Sequence, residues 1–178
     1  AEEWLDDFDF LQKNPRQPLQ GRVDAGFYDI FASMTYLPAA IATGAGTVPE
    51  GVPAASATRL ANGIAAVTGG ASVTVIGHSL GSAIAAYLTA ELVALSGSQV
   101  VSACLFACPK PGNAAFSDYF TQLGVRYDVF NYVADLVPLA PPLGYSALAN
   151  ITVLKRGGLD HTVHIAASPA CCHHLISY

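Results

Sequence analysis

The 31 residues from Leu60 to Ala90 contain no Asp, Glu, Lys or Arg, and this stretch constrains the fold more than any other part of the chain. It is longer than the roughly 20 residues a bilayer-spanning helix needs. A span is nevertheless excluded, because Asn62, Gly69, Gly70, Ser72, His78, Ser79 and Gly81 interrupt it and its periodicity changes twice. Helical spacing up to Thr68 gives way at Gly69-Gly70 to the β-branched run Ser72-Val73-Thr74-Val75-Ile76, which ends at Gly77. Leu80, Ile84, Leu88, Leu92 and Leu95 then restore helical spacing. The reading is helix, turn, strand, tight turn, helix. Near-continuous apolar runs of this kind belong to a mostly parallel sheet covered on both faces.

The flanking sequence extends the alternation. Val100 to Ala107, Tyr127 to Val133 and Ile151 to Leu154 read as strands, with helical Phe116 to Leu123 between the first two. Upstream, Phe27 to Ala42 and Ala54 to Thr68 read as helices, Asn14 to Gly21 as a loop, and Trp4, Leu5, Phe8 and Leu11 as one side of a short amphipathic helix. Strands alternating with helices predict an α/β fold, a mostly parallel sheet with flanking helices. At 178 residues, one domain over 1–178 is expected.

Composition excludes several classes of function. Charged residues make up 12% against the roughly 25% usual for soluble domains, and apolar residues 52%, so disorder is ruled out. With 8 basic and 13 acidic residues the net charge is -5, which leaves no basic stripe for nucleic acid or an anionic membrane. The opening Ala1-Glu2-Glu3-Trp4 is acidic where a secretory signal would be basic. Four cysteines, Cys104, Cys108, Cys171 and Cys172, are too few and too clustered for a disulfide scaffold. Cys171-Cys172-His173-His174 also lacks the ligand spacing of a zinc site, so no metal is expected.

At the strand-to-helix handover sits Gly77-His78-Ser79-Leu80-Gly81, a G-x-S-x-G element in the context of a nucleophile elbow. The glycines are expected to permit a tight turn that exposes the Ser79 hydroxyl, with the Leu80 backbone N–H as the first oxyanion donor. A serine hydroxyl needs a histidine to take its proton and a carboxylate to orient that histidine. Of the acids after Ser79, Asp135 lies just beyond a strand, where sites form at carboxyl ends. Glu91 and Asp118 fall within helices and Asp128 early in its strand, which suits solvated faces. Among the later histidines, His161 and His164 flank Thr162-Val163 in a strand or hairpin, whereas His173 and His174 lie in a loop before Leu175-Ile176-Ser177-Tyr178. One of that last pair is the expected base.

With these elements in view, the chain resembles the class 3 lipases, a family of the α/β-hydrolase fold. Glu3-Trp4-Leu5-Asp6-Asp7-Phe8-Asp9-Phe10 is similar to the family's lid, and Val23-Asp24-Ala25-Gly26-Phe27 to its V-H-x-G-F element. Gly77 to Gly81 matches its elbow. Phe106 to Asn113, followed by Phe116, resembles [FY]-G-[SA]-P-R-V-G-N-x-x-F, and Asp135 to Pro142 matches D-x-V-P-x-x-P-P. Asp24 stands where the family has histidine, Ser82 replaces the second glycine of G-H-S-L-G-G, and Lys110 replaces arginine.

The resemblance implies Ser79 as nucleophile, Asp135 as orienting acid and a terminal histidine as base. His173 gives the H-x-L-x-x-Y spacing of many bacterial and plant members and His174 the fungal H-L, with His173 preferred. Trp4, Leu5 and Phe8 are implied as lid residues that meet a lipid–water interface. The family's strand ending in [FY]-R-G-[ST], whose Ser or Thr gives the second oxyanion donor, precedes the lid, so the N-terminal strands are expected to be missing and the domain incomplete. The implied activity is that of a serine ester hydrolase acting on triacylglycerol or related lipid esters. A soluble carboxylesterase or feruloyl esterase, a phospholipase A1, and a catalytically silent lipid-binding domain are the alternatives. No cofactor is required for acyl transfer by these groups, no calcium-loop pattern is present, and secretion is implied by the resemblance alone.

Overall fold

The computed structural model describes residues 10–37, 58–155 and 173. Its centre is a parallel sheet of β5 (Val73–His78), β6 (Val101–Phe106), β7 (Arg126–Tyr132) and β8 (Ile151–Leu154), hydrogen-bonded in that order. Helix α3 (Leu80–Ser96) connects β5 to β6, and α4 (Ala114–Gln122) connects β6 to β7. The register aligns Gly77 with Leu105 and His78 with Phe106 with Phe130, so β5 and β6 end level with each other and β7 two residues further on. Strand ends and the loops that leave them are thereby gathered on one rim.

Alternation along the strands sends Val75, Ala103, Leu105, Tyr127 and Val129 into the core. There they meet α3 and the aromatic side chains of α1 (Ala25–Ser33) and α4. Tyr87 of α3 is fully buried at the focus, its ring 5.7 Å from Tyr28, 5.7 Å from Phe31 and 5.5 Å from Phe116. Two of these contacts are edge-on, the geometry aromatic quadrupoles favour. On the opposite face the Oγ atoms of Thr74 and Ser102 pair at 2.9 Å and Ile76 is 69% exposed. The described helices thus cover one face of the sheet rather than the expected two. None of them is long and apolar enough to cross a membrane.

Two short strand pairs depart from the sequence expectations. β1 (Gln12–Lys13) pairs antiparallel with β2 (Val23–Asp24), and β3 (Thr35–Tyr36) with β4 (Thr58–Arg59). The helix expected over Phe27 to Ala42 therefore stops at Ser33, and that expected from Ala54 begins only at Leu60, as α2 (Leu60–Thr68). The extended segments are held by tertiary packing: Tyr36 is buried, and a Cβ on Gly63 of α2 would fall 2.1 Å from its Cγ. Glu91 also differs from its solvated-face reading. It is buried and receives the guanidinium groups of Arg16, at 3.2 Å, and of Arg59. The amphipathic segment with Trp4, Leu5 and Phe8 lies outside the described residues.

Asp24 shows how the N-terminal elements are tied to the sheet. Fully buried, it caps α1 by accepting from Phe27 N–H at 2.9 Å and takes a second bond from Tyr145 Oη at 3.1 Å, while its own N–H donates to Pro111 O at 3.0 Å. Removal from water raises its carboxyl above the ordinary 3.8, against the lowering effect of its hydrogen bonds. A folded-state value above the unfolded one means the native protein holds this proton more tightly. This group's contribution to stability therefore falls as pH rises through the window that opens at the ordinary carboxyl value. Asp24→Asn removes the titration. Urea denaturation at pH 4 and pH 7 should show the variant gaining on the parent at the higher pH, and a difference independent of pH would contradict this account.

Candidate active site

Ser79 joins β5 to α3 with φ 59 and ψ -132, a conformation L-residues rarely adopt. The local sequence explains why the chain turns there. A Cβ at Gly77 would lie 2.4 Å from Gly81 O and 2.7 Å from Ser82 Cα, so only glycine lets the last turn of the strand approach the first turn of the helix. No described atom lies within 4 Å of the Cβ position at Gly81. The steric demand in G-x-S-x-G thus falls on the first glycine, whereas the sequence reading assigned it to both. Ser79 N–H donates to Phe106 O at 3.0 Å, which ties the turn to the end of the neighbouring strand.

The structure brings three of the sequence-predicted residues into one hydrogen-bonded chain. Ser79 Oγ lies 2.7 Å from His173 Nε2, and His173 Nδ1 lies 2.9 Å from Asp135 Oδ2. Asp135 is reached three residues beyond the end of β7, where Asp135 N–H donates to Tyr132 O at 3.0 Å, and its carboxyl is buried. Its other oxygen, Oδ1, accepts from Val137 N–H at 2.9 Å, the start of a 3₁₀ turn over Val137–Leu139. Each carboxylate oxygen so has a donor, which makes burial of the charge tolerable. A carboxylate facing Nδ1 keeps the proton on that nitrogen and leaves the Nε2 lone pair toward the serine hydroxyl. The ring of His173 also lies 5.0 Å from that of His78, tilted by 31°, a contact sequence reasoning did not anticipate. His174, His161 and His164 lie outside the described residues.

Leu80 is the first residue of α3, so its N–H has no acceptor within the helix and points from the positive end of the helix dipole. An oxyanion formed by attack on an ester would find this donor beside the nucleophile. Asn113 and Gly112, whose motif the sequence analysis singled out, serve the scaffold. Asn113 Oδ1 accepts from Phe116 N–H and Arg22 N–H, each at 3.0 Å, and Gly112 bridges Val23 and Ser146. The Gly112–Ser146 bridge, together with Lys110 N–H to Ala140 O at 2.8 Å, laces the loop after β6 to the segment that follows Asp135, and the bonds to Arg22 and Val23 tie the same loop to the residues before α1. Among the described residues no cluster of His, Cys, Asp and Glu has the arrangement of a metal site.

Comparison with known proteins gives a consistent picture. The family model for lipase (class 3) matches residues 1–145. The chain is 40% identical over 80 residues to phospholipase A1-II 4 of Oryza sativa subsp. japonica, covering 42% of this chain and 20% of that protein. It is 32% identical over 89 residues to phospholipase A1-IIgamma of Arabidopsis thaliana, covering 44% and 21%. Among solved structures, lipase II from Rhizopus niveus superposes with a TM-score of 0.64 at 20% identity, over 87% of this chain and 53% of that one. A triacylglyceride lipase of Rhizomucor miehei gives 0.63 at 22%, over 85% and 52%. The matches thus span about a fifth of the plant proteins and about half of the fungal structures. The fold shared with these lipases is the α/β-hydrolase fold.

The two elbow glycines should respond differently to the same substitution. Gly77→Ala forces backbone apart and should destabilise by about 2 kcal/mol or more, whereas Gly81→Ala should leave stability unchanged or raise it by up to about 1 kcal/mol, as alanine is the better helix residue. Thermal denaturation of both variants decides the point, and equal losses would contradict the assignment.

Proposed function

The chain belongs to the class 3 lipase family, and from that premise we propose that it is a serine ester hydrolase acting on lipid esters, with Ser79 as nucleophile, His173 as general base and Asp135 as the residue that orients it. The observation that carries this reading is the continuous chain from Ser79 Oγ through both ring nitrogens of His173 to the buried carboxylate of Asp135. Ser79 attacks the ester carbonyl as its proton passes to His173 Nε2, and the new oxyanion is received by Leu80 N–H. The imidazolium, stabilised by Asp135, returns the proton to the departing alcohol, which leaves an acyl-serine. Water activated by the same nitrogen then releases the carboxylic acid.

The character of the rim supports a lipid as substrate. The segment from Leu136 to Leu154 carries no charged residue. It and its approach expose Val133, Leu136, Leu139 (63%) and Leu143 (88%) around the buried Asp135. Apolar side chains displayed next to reacting groups suit a long acyl chain or a lipid surface better than a small polar ester. The matched plant proteins are phospholipases A1 and the Rhizomucor miehei structure is a triacylglyceride lipase, so phospholipid and triacylglycerol both belong in the assay.

A p-nitrophenyl ester series from acetate to palmitate, alongside phospholipid and triacylglycerol emulsions, tests the reading with the parent and Ser79→Ala. Hydrolysis should rise toward long acyl chains and fall by roughly 10⁴-fold or more in the variant, as when a triad member is removed elsewhere. Rates unchanged by Ser79→Ala would overturn the assignment and favour a silent lipid-binding domain.

A further inference from the structure

Ser82 occupies the first turn of α3, fully buried, and makes two bonds that bear on the nucleophile. Its hydroxyl donates to Phe106 O at 2.7 Å, the same carbonyl that accepts Ser79 N–H at 3.0 Å. Its backbone N–H donates to Ser79 O at 2.8 Å. Together these form a closed ring: Phe106 O to Ser79 N–H, Ser79 O to Ser82 N–H, and Ser82 Oγ–H back to Phe106 O.

The carbonyl of Ser79 and the N–H of Leu80 belong to one planar trans peptide and point in opposite directions. Whatever fixes Ser79 O therefore fixes the direction of Leu80 N–H. Helix geometry alone gives the Ser82 N–H to Ser79 O bond. It does not fix the helix end relative to the sheet, and Ser79 sits in a strained conformation that persists only where its surroundings over-determine it. The Ser82 hydroxyl supplies that link, because it ties the first turn of α3 directly to the end of β6. At this position the G-H-S-L-G-G pattern has glycine, which has no hydroxyl to offer.

We propose that the Ser82 side chain is a positioning residue that holds the Ser79–Leu80 peptide, and with it the Leu80 N–H, toward the oxyanion. The proposal rests on the ester-hydrolase reading, and it separates from that reading by experiment. Ser82→Ala in the 178-residue chain removes the hydroxyl and keeps a good helix residue.

Two measurements compare it with the parent: saturation kinetics of Ser79 labelling by a fluorophosphonate, whose adduct places a phosphoryl oxygen where the oxyanion forms, and the amide proton–nitrogen spectrum with hydrogen exchange at Ser79 and Leu80. The maximal labelling rate should fall about 10-fold, a fraction of the 10² to 10³ seen when an oxyanion donor is lost altogether, with half-saturation unchanged. The Ser79 and Leu80 amides should shift and exchange faster. Unchanged labelling together with unchanged Leu80 exchange would overturn the proposal, as would a rate loss no larger than the fraction of unfolded protein. If the parent takes no label at Ser79, the ester-hydrolase reading fails, and the Leu80 amide still decides whether Ser82 holds that peptide.

Discussion

The carbonyl of Phe106, at the carboxyl end of β6, accepts both the Ser79 N–H and the Ser82 hydroxyl, and the geometry of the site descends from this junction. Parallel pairing aligns His78 with Phe106 and Phe106 with Phe130, so the turn at Ser79 leaves the sheet two residues short of the end of β7, on the same rim as the loop that carries Asp135. Were β5 displaced by one residue along β6, the elbow would lose its anchor and every side chain on β5 would change face. The strain at Ser79 is sustained by this register. The register is sustained in turn by Val75, Ala103, Leu105 and Tyr127 packing beneath α3 around the aromatic cluster at Tyr87.

How legible the molecule was in its sequence depended on the range of the forces involved. β5, α3 and the elbow between them were readable because a β-branched run, a glycine and a helical apolar period act over a few residues. Asp135 was readable from its place just past a strand. His173 and His174 were not separable by residue type, since neighbours differ only in which side of the chain they face; the ring bridging Ser79 and Asp135 is that of His173. The two-residue strands at Thr35–Tyr36 and Thr58–Arg59 carry almost no local signal. They exist because of each other, across 20 residues that lie between them outside the described segments, and because Tyr36 packs on Gly63. Glu91 misled for the same reason: its partners Arg16 and Arg59 lie 75 and 32 positions away, and a spacing rule sees only its own helix.

The departures from the family pattern also acquire physical content. Asp24, in place of histidine, becomes a buried cap that joins α1 to Tyr145 and to the loop after β6. Ser82, in place of glycine, adds a hydroxyl that reaches that same loop's origin at Phe106. Both contribute a directed hydrogen bond from the side chain, and both brace the rim on which Ser79, His173 and Asp135 meet. A site of this kind depends on preorganisation, since donors already aimed at the developing charge need not reorient during reaction.

The proposed chemistry depends on Asp135 holding His173 in the tautomer that leaves Nε2 free to take the Ser79 proton. Nitrogen-15 spectra of the histidine-labelled protein near neutral pH test it directly, with Asp135→Asn as the comparison. His173 should carry its proton on Nδ1 in the parent and lose that preference in the variant. A His173 protonated on Nε2 in the parent, or unaffected by Asp135→Asn, would contradict it.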